Sequence, residues 1–240
     1  MSERLSNVVS NNGRVAPGAA LHVEVIADLI CPFCYLGKRR LDTALCAVQG
    51  PFDVSWFPWQ LNPGMPAEGL PYEDYLTRRF GSPASISPIL ESLTEEGKQV
   101  GIDFCFDQLT RVPNTLKAHQ LMYLAETEGQ DQSALAEELM SAFFERGEDI
   151  GDPKVLVELA GRHGLAADDV LRVIDDEAAK QIVVTREGQV RSSGISGVPG
   201  FLLNRRLLVV GAQEADAIIN AFDRAMFGEG TDELVSPALH

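Results

Sequence analysis

Residues 21–38 read LHVEVIADLICPFCYLGK, and the fold follows from how this stretch divides. Residues 21–29 alternate apolar and polar positions and are rich in β-branched side chains, the pattern of a strand. Cys31-Pro32 then opens a helix, because proline is well accommodated in a first helical turn, where its missing N–H has no partner to lose. Leu41, Ala44, Leu45 and Val48 continue at helical spacing until Gly50-Pro51 stops the run. Cys31 therefore falls at the mouth of the helix, where unpaired backbone N–H groups and the helix dipole favour negative charge on a sulfur. Cys34, three residues on, lies above it on the same face and continues the apolar stripe to Leu41 and Leu45. The arrangement predicts an exposed attacking thiolate at Cys31 and a shielded resolving thiol at Cys34, the asymmetry that disulfide exchange requires.

Outward from this stretch, residues 54–59 (VSWFPW) read as a second strand, which Pro58 limits to an edge or a bulge. The first part of the chain is thus a β-α-β unit. The middle changes character: residues 72–80, 87–100, 114–128, 133–146, 153–163 and 168–176 carry helical patterning, and a further helix runs from Glu177 towards Gly188. Ser87-Pro88 and Asp152-Pro153 are start signals, Gly101 and Gly164 stop signals. Strands return at 200–203 and 207–210, joined through Asn204-Arg205-Arg206 as a hairpin. Residues 214–227 close the order with a helix whose inner face is Ala217, Ile218, Ala221 and Ala225. The polar start of the chain and its Gly/Pro-bearing end read as loose tails.

The chain has 240 residues, enough to bury a core without disulfide staples or a structural metal. Hydrophobic residues at 45% and charged residues at 23% are globular composition rather than disorder. Asp+Glu at 35 against Lys+Arg at 20 gives a formal charge of −15, which repels phosphate backbones and anionic lipid and argues against nucleic acid or a membrane surface as partner. No apolar run approaches the ~20 residues of a membrane-spanning helix, and the start of the chain lacks the unbroken apolar core of a signal peptide. Both observations point to the cytoplasm. There, a cysteine pair two residues apart is chemistry rather than a staple. Cys46 and Cys105 are single and distant, so no zinc-ligand spacing arises, no metal is expected, and both read as structural thiols. Arg39-Arg40 reads as a solvated helix face, and Trp56-Phe57 and Phe143-Phe144 as packing residues.

Residues 28–38, DLICPFCYLGK, resemble the active-site segment of the DsbA-like thioredoxin-fold family in its FrnE-type cytoplasmic branch. Agreement continues in order through Trp59-Gln60-Leu61-Asn62-Pro63, Pro113-Asn114-Thr115 with Ala118-His119, Asp149-Ile150, Gly197-Val198-Pro199-Gly200-Phe201 and Gly211-Ala212-Gln213. The resemblance implies an α/β chain: a thioredoxin fold with an inserted all-helical domain. It divides the chain into an N-terminal tail (1–20), a first thioredoxin part (21–62), the helical insert (63–180), a second thioredoxin part (181–228) and a C-terminal tail (229–240). It also implies a cis Pro199 beside the cysteines, with Val198 offering backbone groups to an extended peptide. The helical domain would face the site, so that Asn114, His119 and Trp59 join Val198 and Pro199 as substrate-binding candidates. From the residues alone, Asn114 is equally a helix cap and His119 equally a surface histidine. Asp28 and Glu24 are candidate proton acceptors for Cys34, with a turn role for Asp28 as the simpler reading. The intervening dipeptide Pro32-Phe33 carries no charge, unlike the C-P-H-C of DsbA, which implies a less oxidising couple.

The expectation is a thiol–disulfide oxidoreductase acting on protein or small-molecule disulfides, with no cofactor beyond the dithiol and with glutathione as an optional co-substrate. The alternative is a glutathione-dependent isomerase or transferase of the 2-hydroxychromene-2-carboxylate isomerase type. Those relatives, like the kappa-class glutathione transferases, resemble the chain in architecture, but the isomerases carry a serine where Cys31 stands and use one nucleophile. A third reading is a chaperone-like module binding through an apolar groove, indifferent to both thiols. Oligomeric state stays open, a homodimer included.

Overall fold

The computed structural model describes residues 20–48, 50–228 and 234–235. Its centre is β1 (Leu21–Ala27), whose inward Leu21, Val23 and Val25 are buried. β1 runs parallel to β2 (Phe52–Pro58), with Leu21 opposite Phe52 and Ala27 opposite Pro58. On its other side it runs antiparallel to β5 (Gly200–Leu203), with Ile26 opposite Gly200. β5 pairs with β6 (Leu207–Val210) in the expected hairpin. Its turn holds Asn204 and Arg205 at φ 48° and 55°, the left-handed region that hairpin turns need and that Asn tolerates well. Asn204 also accepts from the His22 N–H at 2.9 Å, tying the turn to β1.

β7 (Leu234–Val235) adds in parallel to β6, with Leu208 opposite Leu234, so the sheet order is β2-β1-β5-β6-β7. The segment expected as a loose C-terminal tail therefore supplies a strand, which covers the backbone groups that β6 would leave as a bare edge. The expectation for residues 1–19 lies outside the described residues. α1 (Pro32–Ala47) and α9 (Ala215–Phe227) pack against each other beside the sheet.

Between β2 and β5 lie α2 (Tyr72–Phe80), α3 (Pro83–Gln99), α4 (Leu116–Thr127), α5 (Gln132–Phe144), α6 (Pro153–Arg162), α7 (Ala167–Asp175) and α8 (Glu177–Ser192). A short antiparallel ribbon of β3 (Leu70–Pro71) and β4 (Arg111–Val112) lies among them. Asp131, Asp152 and Asp176 cap α5, α6 and α8 with side-chain oxygens. α3 starts four residues earlier than its patterning predicts. Ser82 accepts from the Ser85 N–H, which lets Pro83 take the first helical position and leaves Pro88 inside the helix. Of two Ser-Pro pairs, the earlier one nucleates. The boundary drawn at 180/181 falls within α8, which runs unbroken and packs on both α4 and β2.

One apolar cluster runs from the sheet (Val23, Phe201) through α1 (Tyr35, Leu41) into the insert (Leu121, Leu139, Phe144). At its border α1 presents Lys38 and the pair Arg39-Arg40, the latter expected as a solvated face. Lys38 and Arg40 are instead buried. Lys38 Nζ meets Glu137 at 2.8 Å and Asp42 at 2.7 Å, Arg39 meets Glu137 at 2.7 Å, and Arg40 meets Glu96 at 3.1 Å and Glu214 at 2.6 Å. Apart from Asp42 of α1 itself, the insert and the α9 start supply the carboxylates, so three cations on one helix join it to both.

Candidate active site

β1 ends at the turn that delivers the cysteines. The Cys31 N–H donates to the Asp28 carbonyl at 3.2 Å, and the Cys31 carbonyl accepts from the N–H groups of Cys34 and Tyr35 at 2.9 and 3.2 Å. Cys31 is the N-cap of α1 in extended backbone, with Pro32 first in the helix. Its sulfur thus sits at the positive end of the helix dipole.

The expected exposure of Cys31 needs correction: Cys31 is 4% exposed and Cys34 1%, while Phe33 between them is 43% exposed. The dithiol lies where the sheet and the inserted helices share one apolar cluster, so the junction covers both sulfurs. Burial pushes the Cys34 thiol well above its ordinary range. A hydrogen bond with Cys31 and the nearby Cys31 charge push the same way, and a backbone bond from Asp28 partly opposes them. Cys34 therefore holds its proton at neutral pH.

Asp28 is fully buried. Its Oδ2 accepts from the Leu61 N–H at 2.7 Å, which closes the loop after β2 over the site. Its Oδ1 lies 3.4 Å from His119 Nε2, and neither of these two buried atoms finds a hydrogen-bond partner. His119 is thus not a surface residue: α4 carries it inward, 5% exposed.

Asn114 is engaged structurally. Its Nδ2 donates to the Met65 carbonyl at 2.7 Å and its Oδ1 accepts from the Leu116 N–H at 2.9 Å. It therefore caps the start of α4 from one residue before the formal N-cap, Thr115, and its polar atoms are turned to the chain rather than to a visitor. Trp59 is buried, with the Arg191 guanidinium 3.7 Å from its ring centroid. Arg191 also donates to the Gln60 carbonyl at 2.7 Å, and Glu187 accepts from the Gln60 N–H at 2.8 Å. Trp59 anchors the loop instead of presenting a platform. The i,i+4 spacing of Glu187 and Arg191 is visible in sequence, but its target, the loop after Trp59, is set only by packing.

The Val198–Pro199 peptide is cis. Val198 precedes β5 and stands outside its ladder, in the register position level with Asp28. Pro199 presses on α1: a Cβ placed on Gly37 would lie 2.9 Å from Pro199 Cγ and 3.1 Å from Phe201 Cζ. Only glycine admits this approach of β5 to the helix that carries the dithiol.

Cys46 is exposed and Cys105 half-buried, with Cys105 Sγ 3.4 Å from the Asp103 carbonyl, so Cys46 is not the buried structural thiol expected. Its place on the outer face of α1 decides this. Among the described residues no group of three or more His, Cys, Asp or Glu is placed to hold a metal ion, and no helix is long and apolar enough to cross a membrane.

At the end of β1, reached through Ala27, Leu29 and His119, a cleft opens between β2 and helices α4, α5 and α8. It encloses about 350 Å³ of space, part of it open to solvent. Leu29, Trp56, Met122 and Val183 form apolar walls, and His119 and Arg186 supply polar atoms.

A β-α-β and β-β-α sheet broken by helices, with a C-x-x-C at its first helix and a cis-proline at the entry to β5, defines the thioredoxin-fold dithiol proteins. The chain belongs to the DSBA-like thioredoxin domain family, which matches residues 22–223. It is 31% identical to a probable DsbA oxidoreductase of Streptomyces coelicolor, SCO1869, over 88% of this chain and 92% of that one, with a TM-score of 0.79. The uncharacterized protein YwbO of Bacillus subtilis (strain 168) is 27% identical over 147 residues, 60% of this chain and 67% of that one. The fold also resembles a 2-hydroxychromene-2-carboxylate isomerase, at 14% identity and a TM-score of 0.66 over 85% and 95% of the two chains.

Proposed function

We propose that the chain is a thiol–disulfide oxidoreductase working through Cys31 and Cys34. The observation that carries this reading is a helix-capping Cys31 hydrogen-bonded to a deeper Cys34 that keeps its proton. The Cys31 thiolate attacks one sulfur of a visiting disulfide. That S–S bond breaks, a mixed disulfide forms at Cys31, and one thiolate leaves and takes up a proton. Cys34, once deprotonated, attacks the Cys31 sulfur, closes the Cys31–Cys34 disulfide and releases the second thiol. The visitor gains two electrons and the dithiol loses two; run in reverse, the same steps donate a disulfide.

Phe33 offers an exposed apolar contact next to the nucleophile, and Val198 a backbone edge on which an extended segment can lie. Because the sulfurs are covered, docking must part the junction between sheet and insert, which selects flexible protein segments or small disulfides. No bound cofactor is needed in this reading. Glutathione is a fitting co-substrate for restoring the dithiol, and a cytosolic disulfide reductase of similar fold, DsbM of Pseudomonas aeruginosa, is known in a structure with GSH. We place the protein in the cytoplasm, as the acidic charge and the sparing use of cysteine suggest.

Insulin reduction by dithiothreitol tests the reading. The unaltered protein accelerates it; Cys31→Ser returns it to the uncatalysed rate, and Cys34→Ser accumulates a mixed disulfide and fails to turn over. Full activity of Cys34→Ser would overturn the dithiol mechanism and favour a single nucleophile of the isomerase type.

A further inference from the structure

The two orphaned atoms at the base of the site, Asp28 Oδ1 and His119 Nε2, have no role in exchange as written above. Their position supplies one. The resolving step requires Cys34 to lose a proton that burial makes it hold, in a place closed to solvent on the side of the dithiol. Asp28 gives its backbone N–H to Cys34 and holds one carboxylate oxygen on Leu61, leaving the other facing His119. His119 in turn lines the cleft by β2. That cleft is wide enough to hold water.

We infer that His119 is a positioning residue for the resolving step, completing a proton route from Cys34 through Asp28 to the water of the cleft. The inference rests on the dithiol reading proposed above. In the step, Cys34 Sγ–H gives its proton to Asp28, and the thiolate attacks Cys31 Sγ of the mixed disulfide. The bond between Cys31 and the visitor breaks, and the visitor leaves as thiolate. Asp28 passes the proton to His119 Nε2, and the imidazole, which can take a proton on one nitrogen while releasing one from the other, gives it to water.

The other titratable and charged groups around the route are Cys31 on α1, Tyr123 on α4, and Arg186, Glu187 and Arg191 on α8. Arg186 is paired with Glu126, and Glu187 with Arg191. β2 and α5 contribute apolar walls and the neutral Gln132. Among the described residues, His119 both faces Asp28 and lines the cleft.

The test separates the two chemical steps on the full chain carrying Cys46→Ser and Cys105→Ser. One equivalent of the aromatic disulfide 5,5′-dithiobis(2-nitrobenzoate) is added to the reduced protein. Attack by Cys31 releases a first coloured thiolate, and resolution by Cys34 releases a second. Absence of the second release without a His119 or Asp28 change sinks the dithiol reading itself. With that release present, His119→Gln slows it by roughly 10²-fold near neutral pH, leaves the first release unchanged, and recovers as pH rises and hydroxide takes over. Asp28→Asn gives the same profile, and the double variant is no slower than Asp28→Asn. Imidazole in the buffer restores the second release to His119→Ala through the cleft. A His119→Gln protein that resolves with the native rate and pH profile, or one slowed equally at every pH, overturns the proposal.

Discussion

Glu137 shows how much one side chain can hold when it sits at a junction. It receives the buried Lys38 ammonium, the Arg39 guanidinium and the hydroxyl of the fully buried Tyr35, at 2.7–2.8 Å in each case. Removing it leaves the buried Lys38 ammonium with Asp42 alone as counter-charge and takes an acceptor from Arg39 and Tyr35. Glu137→Ala is therefore expected to cost about 1.5–3 kcal/mol, read as a drop of several degrees in melting temperature. Glu137→Gln, which keeps an acceptor for Tyr35 and loses only the charge, should fall between that variant and the parent. At the same scale, the cap that the sequence offers at Asn114 is present, whereas the surface reading of His119 fails because α4 carries it inward. Trp59 and Asn114 are occupied in anchoring and capping, and His119 is buried. A residue type at a given spacing specifies what a side chain can do, whereas partners such as Arg191 for Trp59 and Asp28 for His119 come from distant segments.

α1 and β5 meet at a point where no side chain fits. Gly37 faces Pro199 and Phe201 so closely that an added methyl group must push β5 away from the helix or turn the helix on its axis. Gly37→Ala is expected to cost about 1–3 kcal/mol as overpacking. It should also slow insulin reduction, because the displacement moves Val198 relative to Cys31. A variant with native melting temperature and native rate would show that the contact is slack. Elements were otherwise readable wherever caps and periodicity agreed, as at α6, where Asp152 and Pro153 mark the start. They misled at α3, where two Ser-Pro pairs compete, and failed for β3, β4 and β7, which are two residues long and carry no periodic pattern.

Taken as a whole, the molecule depends on buried groups that must stay neutral. Burial first, and the carboxylates of Glu145 and Glu137 next, raise the Tyr35 phenol; burial first, with Tyr75, pushes Tyr72 up to about 12. Burial raises the Cys34 thiol likewise. Each group has a higher pKa folded than unfolded, so the folded chain binds more protons in alkali. The resulting stability is fully present below the unfolded values, about 8.5 for the thiol and 10 for the phenols, and is lost as pH rises through the folded ones. Denaturant unfolding of the reduced protein is expected to weaken progressively from about pH 8.5 upward. The oxidised protein, whose Cys34 has no proton to lose, should hold its stability further into alkali. Identical curves for the two forms would contradict the burial of Cys34.

The linear chain by itself determined the thioredoxin order of elements, the helical interruption and the dithiol at the mouth of the first helix, because strand alternation, helix punctuation and the C-x-x-C are local patterns. Only the tertiary structure decided that both sulfurs are covered, that Lys38 and Arg40 are buried against carboxylates of other elements, and that Asp28 meets His119. Those outcomes follow from how the insert closes on α1, a matter of long-range packing in which groups far apart in sequence desolvate one another.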